Sequence, residues 1–385
     1  MSEPALIVLA DGTWFSGKAF GAPTRSVGEV VFNTSMSGYQ EILTDPSYRG
    51  QLVTMTSPHI GNYGVNELDV ESDRIQVAGL IVREASRIAS SYRATSTLHE
   101  YLQDAGVPAV TGVDTRALTR RIRDAGAVMG ALVHGAVPDD APSIAAELAS
   151  GPQYGDLDYV SLVSTAQPQR VVLRETGDRY APHVVTLVPD SGDWGSNAPL
   201  VVVIDYGVKY SILRHLADRG FRVLLVPHDT SVEAIMARAP AGVMLSNGPG
   251  DPGSMDGAVA RVDSLLGKVP VFGICLGHQL LSRAIGGETF KLKFGHRGPN
   301  QPVLEQATGR VQITAQNHGY AVTLDNPRVP VSISYKNLND GTIEGIEVPS
   351  LRAFSAQHHP EAAPGPHDAA GLFDRFWEMV EAGPS

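Results

Sequence analysis

The sequence contains a single cysteine, Cys275, and no hydrophobic run long enough to cross a membrane. One cysteine cannot form an internal disulfide bond, which is typical of a protein in the reducing cytoplasm. The N-terminal residues Met1 to Val8 lack a positively charged leader followed by an apolar stretch, so we expect no signal peptide. These absences predict a soluble, cytoplasmic protein with no membrane partner.

Positive charge is also scarce, with 30 Lys and Arg residues against 41 Asp and Glu residues and a formal net charge of −11. A protein that follows a phosphate backbone needs a basic surface, so we expect no nucleic-acid partner. The sequence has no Gly-x-x-x-x-Gly-Lys-Ser/Thr loop and no cluster of metal ligands at a useful spacing. We therefore expect this chain itself to hold no cofactor and no metal ion.

The length of 385 residues predicts two domains. Residues 1–155 are β-rich, because short apolar segments alternate with Gly- and Pro-rich turns. Two helices are expected in this part, at residues 97–105 and 115–125, and Asp114 is a good N-cap for the second. The first domain is therefore predicted to be a β-rich α+β domain.

The pattern changes after a connecting segment that we place at residues 156–197, in which 170–173 and 184–188 are also compatible with strands. From residue 198 to 385, apolar segments that predict strands alternate with amphipathic segments that predict helices. The run at 200–204 is continuously apolar, as expected for a strand buried on both faces. The second domain is thus predicted to be an α/β domain with a doubly wound, mostly parallel, flavodoxin-like sheet, whose ligands bind at the carboxyl ends of the strands.

The cysteine lies at one of these strand ends. The apolar segment Val269–Ile274, interrupted only by Pro270, predicts a buried strand, and Gln279–Ile285 predicts a helix. Cys275 lies between them and is flanked by Gly273 and Gly277. The pattern Gly-x-Cys-x-Gly is typical of the tight strand-to-helix turn that exposes a nucleophile, and a helix N-terminus favours a thiolate. The alternative is a small buried hydrophobic residue, but the two glycines favour the nucleophile.

A second motif, Asn247-Gly-Pro-Gly-Asp-Pro252, directly follows a predicted strand. Backbone N–H groups of such a loop can stabilise the oxyanion of a tetrahedral intermediate, which is worth about 3–4 kcal/mol per donor. A simple turn is the alternative interpretation, because Pro and Gly are ordinary turn formers. The predicted strand neighbours the cysteine strand, and this favours a functional loop.

The third motif is His359-Pro-Glu361. The proline keeps His359 extended, and residues two apart in an extended segment project to the same side. The imidazole can therefore lie near the thiol while Glu361 orients it, the arrangement that nucleophilic catalysis needs. His358 should point the other way and have a structural or supporting role. His278 and His318 are alternative candidates for the base.

Together these motifs resemble the signature set of class I (triad) glutamine amidotransferases. The first half of the chain resembles the N-terminal domain of the small subunits of glutamine-dependent carbamoyl-phosphate synthetases. The residues that carry this second resemblance are Phe32 to Gly50, Pro58-His-Ile-Gly-Asn62, Gly112-Val-Asp-Thr-Arg-Ala-Leu-Thr119 and the tail motif Pro364-Gly-Pro-His-Asp-Ala369. The resemblance covers nearly the whole chain in the same order.

The resemblance implies a role for each matching residue. Cys275 would attack the carboxamide of glutamine and form a γ-glutamyl thioester. His359 would act as general base and acid, and Glu361 would orient it. The amides of Gly248 and Leu276 would form the oxyanion hole.

The resemblance also implies which residues bind the amino-acid end of L-glutamine: Ser47, Gly250, Gln279, Asn317, Gly319 and Tyr320. Ser47 belongs to the first domain, so the substrate is expected at the domain interface. The chain departs from the family pattern at two positions, with Tyr320 where Phe is frequent and His358 where Gly is frequent.

A partner is implied as well, namely the carbamoyl-phosphate synthetase large subunit. That subunit would bind ATP, Mg²⁺ and bicarbonate, receive ammonia through an internal channel and make carbamoyl phosphate for arginine and pyrimidine biosynthesis. The absence of a nucleotide-binding loop in this chain fits such a division of labour. The expected complex is at least a heterodimer.

Three other functions remain open at this point. An amidotransferase subunit could serve another acceptor, although the Phe32 to Gly50 motif argues against this. A catalytically silent scaffold is disfavoured by the intact Cys, His and Glu set. An unrelated cysteine hydrolase would not react selectively with a glutamine analogue at Cys275.

Overall fold

The computed structural model describes residues 3–179, 181–192, 194–195 and 197–383, and it divides into two compact units. The first unit runs to Tyr159 and includes Lys293–Gly298, and the second contains Val160–Leu292 and the chain from Pro299 onward. The two ends of the chain and three positions within the predicted connection, Tyr180, Asp193 and Ser196, lie outside the described residues. Among the residues described, no helix combines the length and the apolar character that crossing a bilayer requires.

The first unit is a mixed sheet closed into a barrel, with helices around it. Its strands are β1 (Pro4–Leu9), β2 (Trp14–Gly21), β3 (Arg25–Asn33), β4 (Gln51–Met55), β5 (His59–Ile60), β6 (Gly79–Ile81), β7 (Glu84–Ala85), β8 (Pro108–Thr111) and β9 (Val128–His134). The barrel strands follow the order β1-β2-β8-β6-β4-β3-β9. Strands β3, β4, β6 and β8 run parallel to one another, and the other pairs of the barrel are antiparallel. Its helices are α1 (Tyr39–Thr44), α2 (Leu98–Asp104), α3 (Thr115–Ala125) and α4 (Ala141–Ser150).

Local signals account well for the helices of this unit. The prediction of α3 is confirmed at both ends, and the side chain of Asp114 accepts a hydrogen bond from the amide of Ala117 at 2.9 Å. Helix α2 begins with a capping box between Thr97 and Glu100. The β-rich α+β character is confirmed, whereas closure of the sheet into a barrel has no counterpart in the prediction.

The second unit is built on one large sheet. Its strands are β10 (Gln169–Glu175), β11 (His183–Pro189), β12 (Leu200–Asp205), β13 (Arg222–Pro227), β14 (Gly242–Leu245), β15 (Val271–Ile274), β16 (Glu288–Glu305), β17 (Val311–Thr323), β18 (Ser332–Asn337), β19 (Ile343–Val348) and β20 (Ala353–Ala356). Its helices are α5 (Val160–Val163), α6 (Tyr210–Asp218), α7 (Val232–Met236), α8 (Asp256–Leu265), α9 (Leu276–Ala284) and α10 (Gly371–Glu381). The strand order is β11-β10-β13-β12-β14-β15-β20-β19-β18-β16-β17.

The centre of this sheet is the predicted doubly wound α/β core. Strands β13, β12, β14, β15 and β20 are parallel neighbours. Along β12, Val202 and Ile204 pack into one apolar layer, while Val201 and Val203 pack into the layer on the opposite face. Because successive side chains of a strand point to opposite faces, the continuous apolar run serves both layers.

The predicted connection is largely part of this unit. Strands β10 and β11 form an antiparallel hairpin, and β10 pairs with β13 at the edge of the parallel core. Val171, Val185 and Leu187 pack against the buried apolar layer. The alternation of apolar residues along these strands gives the hairpin a face to bury, so the hairpin extends the sheet.

Candidate active site

The three predicted motifs follow three adjacent parallel strands. Strand β15 pairs with β14 on one side and with β20 on the other. The carboxyl ends of these strands therefore lie at one edge of the sheet, and the loop after β14, Cys275 and His359 all leave from that edge. This is where ligands bind in open α/β sheets.

The backbone around Cys275 is tight and strained. Cys275 has φ 54° and ψ −103°, a conformation that L residues rarely adopt. A Cβ atom added at Gly273 would lie 2.6 Å from the carbonyl oxygen of Gly277, and one added at Gly277 would lie 2.2 Å from that of Leu245. Only glycine allows this approach of strand and helix, so the turn holds Cys275 at the start of α9.

The imidazole of His359 is oriented by a carboxylate. Its Nδ1 lies 2.6 Å from Oε1 of Glu361, and both side chains are buried. The amide of His359 donates to the carbonyl oxygen of Ala315 on β17 at 2.9 Å. Nε2 makes no hydrogen bond of normal geometry within the described part of the chain. With Nδ1 engaged by Glu361, Nε2 is the ring nitrogen left to exchange a proton with the sulfur.

The pKa values of this pair are shifted in opposite directions. Burial by itself lowers the pKa of His359, but the charges of Glu361 and Cys275 and hydrogen bonding to both raise it to about 10. Burial raises the pKa of Glu361, but Lys209 and His359 lower it to about 2. At neutral pH the ring is therefore protonated and the carboxylate charged, as expected for a histidine that can protonate a leaving amine.

Lys209 is a component of the site that the sequence did not reveal. Its Nζ donates to Oε1 of Glu361 at 3.0 Å and to the carbonyl oxygen of Ala362 at 2.5 Å. Its amide donates to Oδ1 of Asn247 at 3.2 Å, in the loop after β14. Lys209 follows the apolar run of β12 and so lies at the same edge of the sheet. The sequence does not indicate which residue a single lysine at this position contacts.

Several residues predicted to bind glutamine lie around the cysteine. The thiol of Cys275 donates a weak hydrogen bond to the carbonyl oxygen of Asn317 at 3.6 Å. Gln279 lies one turn along α9, and its Nε2 donates to the carbonyl oxygen of Tyr320 at 2.9 Å. Gly319 lies on β17 between Asn317 and Tyr320. The structure thus brings these four residues to the turn that carries the thiol.

The loop predicted to contribute to the oxyanion hole lies against the same turn. The amide of Gly277 donates to the carbonyl oxygen of Ser246 at 3.1 Å. A Cβ atom at Gly248 would lie 2.1 Å from the carbonyl oxygen of Tyr206, whereas none of the described atoms lies within 4 Å of one added at Gly250, where φ is +97°. Leu276 is the first residue of α9, so its amide has no partner within the helix.

Ser47 belongs to the first unit. It lies in the short turn Pro46–Tyr48 and is buried, and its amide donates to Oδ1 of Asp45 at 2.8 Å. A contact of Ser47 with glutamine stays a prediction.

The three other histidines close to the predicted motifs interact with other residues of the second unit. Both ring nitrogens of His318 make hydrogen bonds, to the carbonyl oxygen of Tyr320 and to Gln316. His278 bonds Ser355 through Nδ1 at 2.8 Å, and burial lowers its pKa to about 3. His358 is buried, with Nδ1 3.8 Å from Oε2 of Glu344. Cys275 has an electrostatic effect on the ring of His359.

Comparison with protein families gives two matches. Residues 7–132 match the family described as carbamoyl-phosphate synthase small chain, CPSase domain. Residues 202–379 match the family described as glutamine amidotransferase class-I.

Curated proteins similar to this chain carry the name carbamoyl phosphate synthase small chain. The one from Rhodopirellula baltica is 49% identical, covering 99% of this chain and 98% of that protein. The one from Syntrophotalea carbinolica is 48% identical and covers 98% of each chain. The one from Thermus thermophilus is 46% identical, covering 99% of this chain and 94% of that protein.

Proposed function

This chain belongs to the family of carbamoyl phosphate synthase small chains, and we propose that it releases ammonia from L-glutamine through a covalent thioester on Cys275. The observation that carries the proposal is the buried His359–Glu361 pair, with a separation of 2.6 Å, together with the electrostatic effect of Cys275 on His359. A nucleophile, an acid–base and an orienting carboxylate at one strand edge are the parts that acyl transfer needs.

In the first half of the reaction, the Cys275 thiolate attacks the side-chain carboxamide carbon and a C–S bond forms. The amides of Gly248 and Leu276 stabilise the oxyanion. The tetrahedral intermediate collapses as the C–N bond breaks and His359 gives its Nε2 proton to the departing nitrogen. The products are ammonia and a γ-glutamyl thioester, and the imidazole is now neutral.

In the second half, the neutral imidazole of His359 takes a proton from water, and the resulting hydroxide attacks the thioester carbon. Collapse of this intermediate breaks the C–S bond and releases glutamate with its γ-carboxyl group protonated, and this group then loses its proton to water. The thiolate and the imidazolium are restored, so protons and charges balance over the cycle.

Lys209 and Glu361 maintain the orientation of the ring through both halves. The Lys209 ammonium, 3.0 Å from Oε1 of Glu361, lowers the pKa of the carboxyl group. Glu361 therefore stays charged when His359 becomes neutral, and the ring keeps its position. Gln279, Asn317, Gly319, Tyr320, Gly250 and Ser47 are the residues that we propose for the amino-acid end of glutamine.

The ammonia would pass to a large subunit that binds ATP and Mg²⁺ and makes carbamoyl phosphate from bicarbonate for arginine and pyrimidine biosynthesis. Free ammonia in neutral water is largely ammonium, which is not a nucleophile, so a channel that excludes water would protect it. We place the complex in the cytoplasm, where the single thiol stays reduced.

Two measurements test this function. Substituting Cys275→Ser should abolish glutamine hydrolysis while leaving the fold and partner binding intact, and a variant that still hydrolyses glutamine would rule out the thioester. Adding a large subunit with ATP and bicarbonate should couple glutamine use to carbamoyl phosphate. Hydrolysis that is indifferent to this partner would favour another acceptor.

A further inference from the structure

We propose that His358 is a positioning residue for the catalytic His359 and that it acts through the buried carboxylate of Glu344. The inference rests on the glutaminase activity proposed above. The side chain of His358 faces away from the thiol, because neighbouring residues of an extended segment project to opposite sides.

The surroundings of His358 are unusual for a polar ring. The side chain is fully buried, and neither ring nitrogen makes a hydrogen bond within the residues described. Nδ1 lies 3.8 Å from Oε2 of Glu344, which is also fully buried. The ring packs edge-on against Tyr335, with centroids 5.3 Å apart. Burying such a ring costs stability, and the neighbouring carboxylate and the packing against Tyr335 are interactions that offset this cost.

Glu344 is itself held in place on β19. Its Oε1 accepts a hydrogen bond from Nδ2 of Asn337 on β18 at 2.9 Å. Its carbonyl oxygen accepts one from the amide of Gln357 at 2.8 Å. Glu344 therefore contacts both residues that precede His359. Its carbonyl oxygen bonds the backbone of residue 357, and its carboxylate lies near the side chain of residue 358.

His278, on the nucleophile helix α9, lies near the same carboxylate. Both Glu344 and His358 affect the pKa of His278, which burial lowers to about 3, so at neutral pH this ring is uncharged. Its Nδ1 bonds Oγ of Ser355 on β20 at 2.8 Å. His278 thus ties the nucleophile helix to β20. The ring of His358 lies 3.8 Å from the carboxylate of Glu344, and His296 and His318 also place a ring nitrogen within 4.8 Å of that carboxylate.

A positioning role follows from the geometry of the segment. On one side, His359 is fixed by its amide bond to Ala315 and by Glu361. On the other side, the interactions of residues 357 and 358 with β19 and the hydrogen bond from Gln279 to Oε1 of Gln357 at 3.0 Å limit rotation of the peptide that enters His359. A small rotation there would move Nε2 away from the sulfur, and displacements of about 1 Å can reduce rates by up to about a hundredfold.

The test compares His358→Phe, which keeps the ring volume without nitrogens, with His358→Gln, which restores a polar group. Glutamine hydrolysis and the melting temperature are measured for both, and for Glu344→Gln and the double variant H358F/E344Q. His183→Phe, on the edge strand β11, is the control. We expect H358F to lower kcat about tenfold and to leave KM within about twofold. H358Q should recover part of the loss, and the double variant should be no slower than H358F.

Three results would overturn the inference: an unchanged kcat in H358F, a loss that is additive with E344Q, or a loss that only follows the fraction of unfolded protein. If H358F does not fold, H358Q and E344Q still decide the matter, because each must lower kcat with KM retained. An inactive wild-type enzyme would instead refute the proposed function. The two failures are therefore distinguishable.

Discussion

Oε1 of Glu361 accepts hydrogen bonds from two cationic groups at once, the Nδ1–H of His359 at 2.6 Å and the Lys209 ammonium at 3.0 Å. The three side chains are buried, so their charges are weakly screened. This coupling means that a change in either neighbour alters the pKa of the carboxyl group and the orientation of the ring. The first three predictions below test this arrangement.

Replacing the orienting carboxylate should slow catalysis strongly. Glu361→Gln keeps the size of the side chain but removes the charge that raises the pKa of His359. By analogy with other catalytic triads, we expect kcat for glutamine hydrolysis to fall by about 10²–10⁴-fold. Steady-state kinetics measure the effect, with Glu378→Gln on the exposed face of α10 as the matched control. A loss of less than about fivefold would contradict the role given to Glu361.

Removing Lys209 should affect stability as well as rate. Lys209→Met leaves the Glu361 carboxylate buried with one fewer cation, and breaking a buried ion pair typically costs about 3–5 kcal/mol. The pKa of Glu361 should rise, because Lys209 is the first of the groups that lower it. Urea unfolding and kcat are measured together, and Lys268→Met at an exposed position is the control. If the variant keeps the free energy of unfolding and the kcat of the wild type, the Lys209–Glu361 ion pair contributes to neither stability nor catalysis.

The charge on His359 should make its contribution to stability depend on pH. The pKa of His359 in the folded protein, about 10, exceeds its ordinary value of 6.5. The stabilisation is therefore fully present below pH 6.5 and is lost as the pH rises through 10. Glu361, with a pKa of about 2, stays charged over this range.

The measurement is the difference in free energy of unfolding between the wild type and His359→Gln at a series of pH values. We expect this difference to favour the wild type most at pH 6 to 7 and to shrink toward alkaline pH. A difference that grows toward alkaline pH would mean that the folded protein prefers the neutral ring.

The tight turn gives a purely steric prediction. Gly277→Ala would place a Cβ atom 2.2 Å from the carbonyl oxygen of Leu245, so strand and helix must separate. We expect a loss of stability of about 1–3 kcal/mol and a larger loss of activity, because the Cys275 turn moves. Gly257→Ala in α8 is the matched control, since the nearest atom would be 3.7 Å away. If the two variants have the same melting temperature, the close approach at Gly277 does not constrain the turn.

Several features follow from short stretches of sequence. Helix α3 begins after its Asp114 cap and ends before Gly126, because capping and backbone preferences are local. The alternating strands and helices of the second unit, and hence its α/β class, follow from hydrophobic periodicity. The close approach of Gly273 to Gly277 is also local, whereas that of Gly277 to Leu245 depends on the neighbouring strand β14. The roles of the site residues and the predicted domain boundaries remain predictions.

Other features were decided only when the chain folded. Lys209 and Glu361 are 152 residues apart, and neither local sequence indicates the other. The pairing of His358 with Glu344 depends on β19 lying beside β20, and closure of the first-unit barrel depends on β9 pairing with β1. Such contacts join segments through the order and register of whole sheets. Propensity and capping act over a few residues, whereas burial of a charged partner is determined by how distant strands pack.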